Sequence, residues 1–181
     1  WNLGSAFNNA TNFTVTNGTL KCSTYNFSAV NITSNSNNDR TIDFGSSTVT
    51  CSGNIAFGTT VPEYLTFNAG TSQLNLTQTY PTLEGNGKVF YNVGFNTTGA
   101  GSLAITGTNT FNNLSSTGIT VAGLKTISLS ANQTINGTLT ISAGTDATMR
   151  TFIQSNTLGT TRTLTCAAFS GTDVDFRDIT I

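Results

Sequence analysis

Leu103-Ala104-Ile105 recurs as Ile127-Ser128-Leu129, and Leu139-Thr140-Ile141 recurs as Leu164-Thr165-Cys166. Each triplet places two apolar side chains on one face and a small residue on the other, the period of two that marks a strand. Thr48-Val49-Thr50-Cys51 and Leu74-Asn75-Leu76 stand in the same relation. All three spacings come to roughly 25 residues, a plausible length for one coil of two or three short strands in a repeat array. The pattern predicts an all-β chain that winds on itself.

The surrounding sequence agrees. Phe13-Thr14-Val15-Thr16, Thr19-Leu20-Lys21-Cys22 and Thr41-Ile42-Asp43-Phe44 alternate in the same way. Asn17-Gly18, Gly53-Asn54, Gly85-Asn86-Gly87, Gly99-Ala100-Gly101 and Asn136-Gly137 supply turns between such runs. No window carries apolar residues at helical spacing. The chain also echoes itself. Phe111-Asn112-Asn113-Leu114 repeats Phe90-Tyr91-Asn92-Val93, Asn-Gly-Thr-Leu occurs at 17–20 and 136–139, and the three cysteines fall in matching frames. A single coil cannot bury its apolar face, whereas stacked coils share one continuous core. The expected fold is a parallel β-solenoid (β-helix) spanning 1–181 as one repeat segment. A β-sandwich or jelly roll is the alternative, though sandwiches guard their edges with more charge and proline, and only two prolines occur here. Neither end carries a polar cap, so the segment reads as part of a longer chain.

Composition narrows the function. Thr, Asn and Ser dominate the chain, while charged residues are 8% of it and the net charge is -1. That leaves no basic footprint for nucleic acid. No apolar run approaches the roughly 18 residues of a membrane span. Histidine is absent, which removes the commonest general base and metal ligand. The serines therefore lack a base, and no glycine-rich phosphate loop opens a helix. Catalytic residues, metal ligands and cofactors are all expected to be none. The ten Asn-x-Ser/Thr sequons are close to the number that this composition gives by chance.

Asn17-Gly18-Thr19-Leu20, Phe44-Gly45-Ser46-Ser47-Thr48-Val49-Thr50, Phe67-Asn68-Ala69-Gly70-Thr71 and Phe90-Tyr91-Asn92-Val93 resemble the Thr/Asn/Gly-rich β-repeats of phage virion fibres and spikes and of bacterial surface adhesins. The likeness continues through Thr110-Phe111-Asn112-Asn113-Leu114, Asn136-Gly137-Thr138-Leu139-Thr140-Ile141 and Val174-Asp175-Phe176-Arg177-Asp178-Ile179. It implies a structural component of a virion exterior, or a repeat of a cell-surface adhesin, located on the virion exterior or outside the cell. It also implies homo-oligomeric or other virion and surface-protein partners, and a surface glycan as ligand. No catalytic motif comes with it.

Candidate binding residues are Tyr64 and Tyr80, which lie beside Pro62 and Pro81 in the two least regular stretches, 58–64 and 78–84. An aromatic face with a polar rim suits a sugar ring, and Tyr25 and Tyr91 would complete a row with them. Asp173 and Asp175 share one face of a strand and are the pair to test for glycan hydrolysis. The simpler reading is a solvated acidic patch, with Arg177 near enough to pair. Cys22, Cys51 and Cys166 are odd in number and not closely spaced, so reduced core thiols are expected.

Overall fold

The computed structural model describes every residue of the chain except Thr59, Ala143 and Ala147. It is a parallel β-solenoid of about seven turns. The sandwich alternative falls because every strand pair among the described residues is parallel.

Among the described residues, three sheets run along the axis. The first is ordered β1 (Phe7–Asn8), β4 (Phe27–Ala29), β7 (Thr48–Cys51), β10 (Gln73–Leu76), β12 (Val89–Phe95), β14 (Thr110–Ser116), β16 (Gln133–Ile141), β18 (Arg162–Gly171) and β20 (Ile179–Thr180). The second runs from β2 (Phe13–Thr14) through β5 (Ile32–Ser34), β8 (Ile55–Phe57), β11 (Thr82–Glu84) and β13 (Gly101–Thr106). It continues with β15 (Gly123–Leu129), β17 (Met149–Ser155) and β19 (Val174–Arg177). The third sheet holds only β3 (Gly18–Lys21), β6 (Arg40–Asp43) and β9 (Leu65–Asn68). Each pass round the axis adds one strand to a sheet, about 4.8 Å beyond the last.

The apolar positions of the sequence become interior columns. Val49 lies beside Leu74, which lies beside Val93. Leu103, Ile127 and Ile153 form a second column. The spacings 49 to 74 and 103 to 127 are therefore true coil repeats. The spacing 139 to 164 is not: Leu139 lies beside Phe169 and Leu164 beside Gln133. The register between β16 and β18 shifts after Ile135, and such a bulge moves residues off an even repeat.

The coil changes section part-way along. In the first three coils a sharp turn separates the third sheet from the first. Ser23, Gly45 and Gly70 sit at these turns with φ of 60, 59 and 56°. The turns stack: Ser46 N donates to Ser23 O and Thr71 N to Gly45 O, both at 2.7 Å. From β12 onward one long strand serves both faces without that turn, and the aromatic column crosses the change unbroken. Phe90 lies 5.0 Å from Phe67 between ring centroids, and Phe111 lies 5.7 Å from Phe90.

Polar side chains form ladders on the outside. Asn31 donates to Asn12 Oδ1 at 2.6 Å, Asn96 to Asn75 Oδ1 at 2.8 Å, and Asn113 to Asn92 Oδ1 at 2.9 Å. Amide rows of this kind join one coil to the next without charge. Among the described residues no helix is long and apolar enough to cross a membrane.

Candidate functional site

Tyr64 ends a 3-10 turn, Pro62–Tyr64, that Pro62 opens with its fixed φ. The stretch expected to bulge at 58–64 includes Thr59, which lies outside the described residues. Two cations hold this corner from within. Arg40 is 2% exposed, and its guanidinium donates to Ser34 Oγ and to the carbonyls of Ser34, Ser36, Asn38 and Val61. Lys88 Nζ donates to Pro62 O at 2.9 Å and to Leu65 O at 2.7 Å. Burial lowers the Lys88 pKa, and the Arg40 charge lowers it further. Buried charges are tolerated when hydrogen-bonded in this way.

On the outer side of the corner lies a groove of about 250 Å³, lined by Thr19, Thr41 and Thr66 with Asp39, Glu63 and Tyr64. The threonines are in register across the third sheet, Thr19 beside Thr41 and Thr41 beside Thr66. Alternation alone puts them outside, because Leu20 and Ile42 next to them point into the core. Tyr64 is 38% exposed.

The other sequence candidates are not gathered here. Tyr80 is exposed on a different corner, just before β11, so the two marked tyrosines do not share a site. Tyr25 lies in the turn after β3 and Tyr91 within β12, so the four tyrosines form no row.

Asp173 and Asp175 both meet Arg150, at 3.4 and 2.6 Å. The partner is thus Arg150 of the preceding coil, not Arg177. Asp175 reaches it because its strand neighbour is Phe152. The hydrogen bond from Arg150 holds the Asp175 carboxyl below the usual carboxylate range. Asp178 instead accepts from Gly159 N at 3.1 Å. These contacts fit a solvated ion pair.

Cys22 and Cys51 are buried and Cys166 is half-buried, all as free thiols. Their matching sequence frames fall at different places: after β3, at the end of β7 and within β18. Burial, with help from Asp43, pushes the Cys22 thiol up to about 11, and burial raises Cys51 as well. Among the described residues no cluster of three His, Cys, Asp or Glu side chains could hold a metal.

Sequence reasoning missed Lys125. It is fully buried, donates from Nζ to Thr97 O and Thr117 O, and lies 4.6 Å from the centre of the Phe95 ring. Burial pushes its pKa down to about 8. The signal was its phase, since Lys125, Ile127 and Leu129 alternate together toward the interior.

Comparison with family models, with curated proteins and with solved structures found no match.

Proposed function

We propose that this chain is a rigid shaft segment of a virion exterior component, such as a fibre, spike or decoration protein, assembled as an oligomer. The observation that carries the reading is the uninterrupted interior. One column runs in register from Phe7 through Phe27, Val49 and Leu74 to Val93. An aromatic set runs beside it from Phe57 through Phe67 and Phe90 to Phe111, and backbone ladders link coil to coil. Such a rod resists bending because every coil is held by both neighbours. Its outer faces carry hydroxyls and amides with little charge, which suits a stem that gives reach. The virion setting rests on the repeat motifs quoted above, and those motifs also fit an adhesin.

An antibody raised against the segment, applied to purified virus particles and to bacterial envelopes, separates the two. Gold label on particle appendages is the expected result. Label confined to the envelope would replace the virion reading with the adhesin one, and label on soluble cytosolic protein would overturn both. Sedimentation of the purified full chain tests the oligomer: a multiple of the chain mass is expected, and a monomer at every concentration contradicts it.

A further inference from the structure

We infer that the open edge of β9 takes up an extended peptide of a partner protein as one more strand. This goes beyond the shaft role and does not depend on it. Among the described residues the third sheet ends at β9, which pairs with β6 alone. The next coil passes this corner as β12, which does not join that ladder. Along a strand of a parallel ladder, successive residues turn their N–H and C=O to opposite sides. Asn68 O accepts from Phe44 N at 2.9 Å, so Asn68 faces β6 and its neighbour Phe67 faces away. The same alternation turns Leu65 and Ala69 to the open side. Their carbonyls are taken there, by Lys88 Nζ at 2.7 Å and by Ser72 N at 3.1 Å. Phe67 stands between them with no strand beyond it.

An interior column stops at the same place. Leu20, Ile42 and Phe67 are in register. Leu20 and Ile42 are fully buried, whereas Phe67, the last of the three, is only part-buried. It opens on a groove of about 340 Å³, shared with Ala69, Val89, Tyr91, Asn112 and Asn136, and no charged side chain lines this groove among the described residues. These features define the occupant. A free backbone edge selects an extended chain, which repeats N–H and C=O at the strand spacing. The uncovered end of the column selects an apolar side chain opposite Phe67. Thr66 and Asn68 point outward beside it, so small polar residues suit the flanks. The uncharged lining offers nothing to pair with a buried charge. This chain has such segments of its own, but in a second folded copy they are already paired within its coils. The added strand therefore comes from a different protein.

The test titrates the full chain, up to millimolar concentration, into a labelled, end-capped hexapeptide that alternates valine with serine and threonine. Two control peptides carry N-methyl groups on alternate amides, one in each phase. The capped peptide should bind saturably and slow amide hydrogen exchange at Phe67, while at least one N-methylated control should bind at least tenfold more weakly. Val89→Arg, at an exposed position in the groove, should weaken binding at least tenfold with circular dichroism unchanged, and Tyr80→Ala should leave it as it was. If Val89→Arg does not fold, the N-methylated peptides decide with the unaltered chain. No saturable binding, equal binding of all three peptides, or slowed exchange confined to strands other than β9 would overturn the inference. Self-association of the chain that Val89→Arg abolishes would also overturn it, by giving the groove to a second copy.

Discussion

Phe57 stands where the interior is most aromatic. Its ring lies 5.0 Å from Phe67, 6.2 Å from Phe90 and 6.4 Å from Phe44, and the side chain is fully buried. Removing it leaves a cavity between coils that fixed backbones cannot close. Phe57→Ala should therefore cost about 3–5 kcal/mol, measured by urea unfolding; a loss below about 1 kcal/mol would contradict this packing. Lys125 makes a prediction of a different kind. Its folded pKa, about 8, lies below the ordinary 10.5. Between those values the unfolded chain binds more protons than the folded one, so this group makes stability rise with pH over that window. The Cys22 thiol acts oppositely. Its folded pKa is about 11 against 9.0, so it makes stability fall as pH passes from 9 to 11. Subtracting the pH profile of Lys125→Met from that of the wild type removes the thiol contribution. The difference should rise from pH 8 toward 10.5, and a flat difference would mean that the ammonium is not enclosed. The two residues were not equally legible beforehand. Phe57 alternates like any core residue, whereas a lysine in a core phase reads first as a solvated charge.

At the scale of elements, the stacked turns after β3, β6 and β9 are the most demanding local geometry. A Cβ on Gly70 would lie 2.1 Å from Gly45 O, and one on Gly45 would lie 2.1 Å from Ser23 O, both at left-handed φ. Asp43 Oδ1 accepts from Gly45 N and Asn68 Oδ1 from Gly70 N, so each of these two turns is also braced by the residue two before its glycine. Gly70→Ala combines strain with a clash against backbone. It should destabilise by more than about 1 kcal/mol, read as a lower urea midpoint, and an unchanged midpoint would show that the turns are not stacked. The strands were legible because a period of two reports local conformation directly, and Gly85-Asn86-Gly87 does turn, but Asn136-Gly137, expected as a turn, lies inside β16. The echo of Phe90-Tyr91-Asn92-Val93 in Phe111-Asn112-Asn113-Leu114 proves to be true register, with Phe90 beside Phe111 and Val93 beside Leu114. The echo of Asn17-Gly18-Thr19-Leu20 in residues 136–139 does not. The first opens β3, and the second sits at the bulge inside β16. Even the local conformation differs, since Gly18 has a φ of 72° while Gly137 is not among the glycines of positive φ, so tertiary register overrides the shared tetrapeptide.

For the whole molecule, the parallel winding could be argued from the sequence, while the change of section after β9 could not. That change follows from the loss of a turn between the third and first sheets. Its sequence trace is only that Phe90-Tyr91-Asn92-Val93 runs on without the glycine that Phe44-Gly45 and Phe67-Asn68-Ala69-Gly70 carry at the same corner. The site was half legible. Tyr64 was marked by its proline and loop, but Thr19, Thr41 and Thr66 lie far apart along the chain and meet only once the register is known. Tyr80, chosen on the same grounds, lies on another corner, since a proline-flanked tyrosine reports a turn and not its neighbours. Cryo-electron microscopy of the full assembled protein tests the stacked shaft most directly. The expected map shows parallel strands about 4.8 Å apart along the long axis of an appendage, with Phe67, Phe90 and Phe111 in one interior column. Antiparallel pairing, or coils whose axis does not follow the appendage, would contradict it.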